Sequence, residues 1–113
     1  MMNGYDKQEA LTFIVKRIHE KDHPELAGMI ETLISQAIDA DMEYMHKSGV
    51  LDNEGNAGDE YYEDDDAFEY MVEAIVAKNK LTPEQAVKVA ALVDDYMDHQ
   101  QAYLESRGLV DWE

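Results

Sequence analysis

Two histidines with a glutamate between them stand four residues apart, at His19-Glu20-Lys21-Asp22-His23. This H-E-x-x-H order is that of helical zinc proteases, in which two histidines on one helix face bind the metal and the glutamate acts as a base. Pro24 follows directly, and a proline pushes the residue before it out of helical geometry. A histidine near a helix end is also favoured by the helix dipole. We therefore expect a polar interhelical turn here rather than a zinc site.

A second metal-like spacing is the E-x-x-H of Glu43-Tyr44-Met45-His46. Helical di-iron proteins use this spacing, but they need a matching pair on a facing helix. The equivalent positions of the internal repeat described below hold Ala102 and Glu105, so the matching pair is missing there. The sequence favours a solvated helix face at this position.

Carboxylates recur four residues apart in three places. Like charges at this spacing cost a few tenths of a kcal/mol on a helix, so their recurrence suggests that these carboxylates have a function. The segments Glu60-Tyr61-Tyr62-Glu63 and Asp95-Tyr96-Met97-Asp98 faintly resemble the E-x-x-E and E-x-x-D signature of the helical nucleotide pyrophosphohydrolases, with Asp95 in place of Glu. That resemblance implies a metal-dependent phosphohydrolase as an alternative function. Its candidate carboxylates would be Asp39, Glu43, Asp94 and Asp98.

The acidic segment that begins at Asp52 can be aligned with a calcium-binding loop. Its weak candidate ligands are Asp52, Glu54, Asn56 and Glu63, which fall on loop positions that usually carry oxygen donors. Ala57 stands where such loops need glycine for a sharp turn. We expect no cofactor, and at most weak binding of divalent cations.

Helical periodicity and end signals divide the chain into four helices that would position these residues. The predicted ranges are Asp6–Glu20, Pro24–Gly49, Asp64–Asn79 and Thr82–Gly108. Asp6 and Thr82 open capping boxes, since Glu or Gln follows three residues later. Because strict two-residue alternation is absent, we predict an all-α protein.

The second and fourth helices repeat each other at an offset of 59 residues. Over 31 aligned positions nine are identical, among them the pairs Pro24/Pro83, Asp39/Asp98, Tyr44/Tyr103 and Gly49/Gly108. Caps and periodicity alone explain part of this likeness. After the tyrosine, however, both copies share a glycine, an aspartate and a glutamate at matching positions. This common ending favours a duplicated helical hairpin.

Two hairpins with one apolar face each would bury those faces against each other. The sequence therefore predicts a single-domain four-helix bundle of residues 1–113 with approximate two-fold symmetry. Hairpin one would cover about 6–49 and hairpin two about 64–108, joined by an acidic linker over about 50–63. The length fits one domain.

The chain is strongly acidic, with 26 Asp and Glu, 9 Lys and Arg, a formal net charge of −17 and no cysteine. This balance argues against direct binding of nucleic-acid phosphates, and the lack of cysteine excludes disulfides and thiolate metal sites. No apolar run approaches a membrane span, and no signal peptide is visible. We expect a cytoplasmic protein without membrane contact.

The acids are concentrated in the stretch 49–77, which holds ten carboxylates and no Lys, Arg or His. One or two acids at a helix N-terminus are explained by the dipole, but ten are not. Tyrosines among them are typical anchors of protein interfaces. We therefore predict a surface that binds a partner protein with a basic surface. Its residues would be Asp59, Glu60, Tyr61, Tyr62, Glu63, Asp64, Asp65, Asp66, Glu69 and Tyr70.

In size and charge the chain is similar to small acidic helical proteins that mimic DNA phosphates. The segment Asp59-Glu60-Tyr61-Tyr62 loosely resembles the Tyr-Tyr pair of the nuclease-colicin immunity proteins. Both resemblances imply a non-enzymatic inhibitor of a basic protein. A further alternative is a homo-oligomeric assembly module, because methionine-rich helix faces suit adaptable interfaces. The expected state is a monomer or a homodimer, and charge that serves solubility alone is an equal alternative for the acidic stretch.

Overall fold

Four α-helices make up most of the residues that the computed structural model describes, which are 4–52, 58 and 60–108. They are α1 (Lys7–Arg17), α2 (Ile30–Ser48), α3 (Asp64–Asn79) and α4 (Pro83–Ser106). Two short 3₁₀ turns, Glu20–Asp22 and Pro24–Leu26, connect α1 to α2. These described ranges contain no β-strand, so the prediction of an all-α chain is confirmed.

The helices form one bundle in which α2 and α4 each contact all the others. Helices α1 and α3 both pack against this pair, and the bundle measures 37 × 25 × 23 Å. Its centre is filled by side chains from the apolar stripe of each helix, as helical periodicity requires. These include Ile14, Leu33, Ile34, Ile38, Met71, Ile75, Leu92 and Val93. None of the described helices is long and apolar enough to cross a membrane.

Most of the predicted helix ends are confirmed. The Asp6 side chain accepts a hydrogen bond from the backbone N–H of Glu9, and Thr82 forms the complete capping box with Gln85. Gly49 ends α2 with φ +86°, a left-handed conformation that glycine adopts without a steric penalty. Helix α3 spans the predicted range.

The prediction that the second helix begins at Pro24 is wrong. Pro24 opens a 3₁₀ turn, and Gly28 then adopts φ +83°, which interrupts any right-handed helix. Helix α2 therefore begins at Ile30. The first helix is also shorter than predicted, because Ile18 is already extended with ψ 127°. Pro83 does open α4, so the two prolines of the proposed repeat occupy different local structures.

Candidate functional site

A buried aspartate lies on the apolar face of α2. Asp41 follows Ile38 by three residues and precedes Met45 by four, so it shares their helix face. Its exposed fraction is 2%, and that face packs into the bundle. An ionised carboxylate is rarely buried without partners, because leaving water is costly for a charge. Asp41 therefore requires hydrogen-bond partners inside the bundle.

Two tyrosine hydroxyls satisfy part of the Asp41 carboxyl group. The hydroxyl of Tyr62 donates to Oδ1 over 2.7 Å, and that of Tyr96 donates to Oδ2 over 2.7 Å. Tyr96 comes from α4, whereas Tyr62 comes from the segment before α3. The carboxyl group thus links three elements of the bundle. Each of its oxygens keeps a further lone pair that can accept another hydrogen bond.

Glycine positions Tyr62 against Asp41. After α2 ends, the N–H of Gly58 donates to the carbonyl of Val50 over 2.8 Å, and the N–H of Glu60 donates to that of Gly49 over 3.2 Å. A Cβ atom at position 58 would lie 2.1 Å from the Gly49 carbonyl oxygen. Glycine is therefore required for the chain to return along the end of α2 and direct Tyr62 inward.

Burial raises the pKa of Asp41 from its ordinary 3.8 to about 6. The hydrogen bonds from Tyr62 and Tyr96 oppose this rise, since they stabilise the charged form, and the nearby charge of Asp64 adds to it. Burial likewise raises the pKa of both tyrosines, so their hydroxyls remain protonated donors. The group at the centre of the bundle therefore titrates close to neutral pH.

Gln100 brings a second buried polar side chain to the same place. It lies on α4, one turn beyond Tyr96, and its exposed fraction is 4%. Its Oε1 accepts a hydrogen bond from the hydroxyl of Tyr5 over 2.8 Å. The Gln100 amide lies close enough to Asp41 to stabilise its charged form and oppose the rise in its pKa, but Nε2 has no described acceptor in hydrogen-bonding geometry. Buried donors without a partner are rare in folded proteins.

Asp41 and Gln100 line a cleft of about 390 Å³ between α2, α3 and α4. Its walls are apolar and its rim is acidic. The wall residues are Met45, Val50, Phe68, Met97 and Leu104. The rim carboxylates are Asp64, Asp65, Asp94 and Asp98, all exposed. No Lys, Arg or His is among the described residues that line the cleft.

The ion pairs between described residues lie away from this rim. Lys7 pairs with Asp39, Lys47 with Glu43, Lys88 with Glu25 and Arg107 with Glu9. The buried His23, 5% exposed, places Nε2 at 2.6 Å from Oδ2 of Asp95. The carboxylates of 60–77 form no ion pair with any described residue, and the helix dipole favours those in the first turn of α3.

The predicted partner-binding residues separate into two groups. The exposed group contains Glu60, Tyr61, Glu63, Asp64, Asp65, Asp66 and Glu69, and the exposed fraction of Tyr61 is 89%. The other two tyrosines turn to the protein: Tyr62 bonds to Asp41, and the Tyr70 hydroxyl donates to Glu43 and accepts from Lys47. Asp59 lies outside the described residues.

The candidate metal ligands are not brought together. Asp39 and Glu43 line a small depression between α2 and α3, whereas Asp94 and Asp98 border the large cleft. The described part of the chain contains no group of three or more His, Asp or Glu that could hold a metal ion. Of the calcium-loop candidates, Asp52 and Glu63 are exposed, and Glu54 and Asn56 lie outside the described residues.

The two histidine motifs do not form the sites that their spacing suggested. His19 is exposed and precedes a 3₁₀ turn, whereas His23 is buried beside Asp95, so the two do not share a face of one α-helix. Glu43 of the E-x-x-H interacts with Lys47 and Tyr70. The prediction of a polar interhelical turn is confirmed for 19–23.

Sequence reasoning missed Asp41 and Gln100. The available signal was an acidic residue on an apolar ladder, since Asp41 falls between Ile38 and Met45 at helical spacing. The two residues are also equivalent in the repeat, because 41 and 100 differ by the offset of 59. A polar pair at matching positions of two buried helix faces points to a shared central site.

No protein-family model, curated protein or solved structure matches this chain.

Proposed function

We propose that the protein is an interaction module that binds a basic surface of a partner protein. The observation that carries this proposal is the row of exposed carboxylates from Glu60 to Glu69, which form no ion pair with any described residue. We call this row, together with Tyr61, the acidic face. Such charges destabilise the compact state through mutual repulsion, and a basic partner would relieve that repulsion.

The acidic face also offers an aromatic anchor. Tyr61 is 89% exposed, whereas the other six tyrosines are buried or packed against the core. Tyrosine is enriched among the residues that dominate interface energies, because it combines a large apolar ring with a hydrogen-bonding hydroxyl. We propose that Tyr61 packs on the partner while the neighbouring carboxylates set its orientation.

Electrostatic attraction of this kind mainly speeds association and selects basic partners. The carboxylates of Asp94 and Asp98 on α4 extend the negative surface beyond α3, which enlarges the area that a basic partner would meet. A nucleic-acid-binding enzyme is one class of protein with such a surface. Inhibition by mimicry of phosphate charge is the form of function that this arrangement favours.

The test replaces Tyr61 with a photo-crosslinking phenylalanine analogue and exposes the full chain to lysate of its source cells. We expect crosslinks to a small set of basic proteins at low salt, and their loss above about 0.5 M salt, where screening is strong. The variant D64N/D65N/D66N should lower the crosslink yield severalfold. Mass spectrometry identifies the captured chains.

The matched control is E20Q/E31Q/E84Q, which removes the same charge from first turns of other helices. This control should crosslink like the unchanged acidic face. An equal loss of crosslink yield in both triple variants would mean that binding depends on net charge and not on the acidic face. Capture of proteins without basic surfaces would contradict the proposal.

We further propose that the two hairpins descend from one duplicated hairpin. Gly49 and Gly108, which are equivalent in the repeat, both adopt positive φ, at +86° and +66°. Asp41 and Gln100, also equivalent, line the same cleft. Sequencing of homologous genes tests this: higher identity between the two halves is expected in some relatives, and halves that diverge in every relative would argue against duplication.

A further inference from the structure

The buried part of the cleft contains a hydrogen-bond donor that has no described acceptor in hydrogen-bonding geometry. Nε2 of Gln100 is buried and makes no hydrogen bond with a described residue, while its Oε1 is held by Tyr5. Leaving a buried donor unpaired costs about 1–3 kcal/mol, so such groups are normally satisfied by protein, water or ligand. Because Gln100 lines the cleft, a molecule in the cleft can supply the acceptor.

An acceptor lies beside this donor. Asp41 lines the same cleft, and each of its oxygens accepts one tyrosine hydrogen bond and can accept another. The protein thus offers one N–H donor and one carboxylate acceptor at the closed end. The complementary ligand group carries an acceptor next to an N–H donor, as a primary carboxamide or an amino-substituted nitrogen heterocycle does.

The rest of the cleft defines the remainder of the ligand. Side chains such as Phe68, Met97 and Leu104 form apolar walls, which suit an apolar ligand body. The rim carries the carboxylates of Asp64, Asp65, Asp94 and Asp98 with no lining cation among the described residues. A positive charge at the outer end of the ligand would be attracted there.

We propose that this cleft is a binding site for a small amphipathic organic cation, with an amide-like group at its buried end, an apolar body and a positively charged outer end. The volume of about 390 Å³ falls within the range of roughly 300–1,000 Å³ that is usual for small-molecule sites. This site goes beyond the proposed protein interaction, because it needs neither Tyr61 nor a protein partner.

The experiment uses 4-(aminomethyl)benzamide, which carries a primary amide, an aromatic ring and a protonated amine in that order. It is titrated into the full-length ¹⁵N-labelled protein and followed by NMR, including the side-chain amide signal of Gln100. We expect saturable shifts confined to the cleft, with a downfield change of the Gln100 amide protons. Benzamide lacks the cation and 4-methylbenzylamine lacks the amide, so each should bind several-fold more weakly.

Two variants separate the two ends of the site. Gln100→Met removes the donor at similar length and should weaken binding of 4-(aminomethyl)benzamide by about tenfold, the value of one hydrogen bond. Because 4-methylbenzylamine has no amide to pair with this donor, the variant should not weaken its binding. D94N/D98N removes two rim charges and should weaken both amines at low salt, whereas the matched control E73Q/E84Q should bind as the unmodified protein does.

Several results would overturn the proposal. They are the absence of saturable shifts in the unmodified protein, shifts centred outside the cleft, or equal binding of the amide and methyl probes. The titration of the unmodified protein decides the matter even if Gln100→Met fails to fold. Saturable shifts would be absent, for example, if an ordered water satisfied Gln100 and the probe did not displace it. Loss of crosslinking in the Tyr61 experiment leaves this test unaffected, so the two proposals fail independently.

Discussion

The chemistry of Asp41 is set by where its side chain is placed rather than by its residue type. Exposed aspartates such as Asp64 and Asp65 stay near a helix N-terminus, where their charge is favoured. Asp41 faces the bundle interior, where desolvation raises its pKa to about 6 despite hydrogen bonds from Tyr62 and Tyr96. The same tyrosines keep the carboxyl group fixed at the closed end of the cleft.

Asp41→Asn should reduce the pH dependence of stability. The folded pKa of about 6 exceeds the ordinary 3.8, so the folded state binds more protons between these values, and stability falls as pH rises through that window. Between pH 5 and 7.5 this group should lower the free energy of unfolding by about 1–1.5 kcal/mol. Urea unfolding at both pH values measures it. Asp22→Asn, at an exposed site, should retain the full slope, and an unchanged slope in Asp41→Asn would refute the burial effect.

The elements of the bundle depend on their connections as much as on their helical periodicity. The turn after α2 brings Tyr62 to Asp41 because the backbone at Gly58 lies against the Gly49 carbonyl. The turn before α2 is tied to α4 by the contact of His23 with Asp95. The two connections thus place Tyr62 and His23 against residues of other helices.

Gly58→Ala should destabilise the protein by about 2–3 kcal/mol, because its Cβ would lie 2.1 Å from a backbone oxygen and the turn would have to move. The hydrogen bond from Tyr62 to Asp41 should weaken with it. Urea unfolding gives the free energy, and the tyrosine ultraviolet difference spectrum reports the hydrogen bond.

Gly28→Ala is the control for this substitution. Gly28 has φ +83° but nothing within 4 Å of its added Cβ, so only the left-handed backbone penalty of about 1 kcal/mol applies. A cost at Gly58 no greater than that at Gly28 would show that the close approach does not control the turn.

For the whole molecule, the excess of negative charge opposes folding. The net charge is −17, and the ion pairs between described residues engage few of the acids. Repulsion between like charges is screened by salt over about 10 Å at 0.1 M. The bundle is therefore held by its apolar core against an electrostatic term that depends on the solution.

Raising sodium chloride from 0.05 to 0.5 M should raise the melting temperature by about 4 °C, since screening removes roughly 1 kcal/mol of repulsion. The rise should be smaller in D64N/D65N/D66N, which loses three neighbouring charges. Circular dichroism measures both melting curves. A salt-independent melting temperature, or a fall with salt, would mean that the ion pairs outweigh the repulsion.

Much of the fold could be predicted from local signals. The capping residues Asp6 and Thr82 and the left-handed Gly49 act over three or four residues, so the helix ends they control were predicted correctly. The start of α2 was not, because Gly28 outweighed the proline signal at Pro24. Spacing alone could not show that Asp39 and Glu43 line a different depression from Asp94 and Asp98.

The sequence by itself determined the four helices, the apolar stripes that join them and the acidic stretch whose charge remains exposed from Glu60 to Glu69. These features follow from periodicity, capping and composition, which are local along the chain. Only the tertiary structure decided that Tyr62 turns inward, that Asp41 titrates near pH 6 and that Gln100 shares its cleft. Desolvation and hydrogen bonding depend on which helices meet, and the meeting of α2, α3 and α4 is a property of the packed bundle.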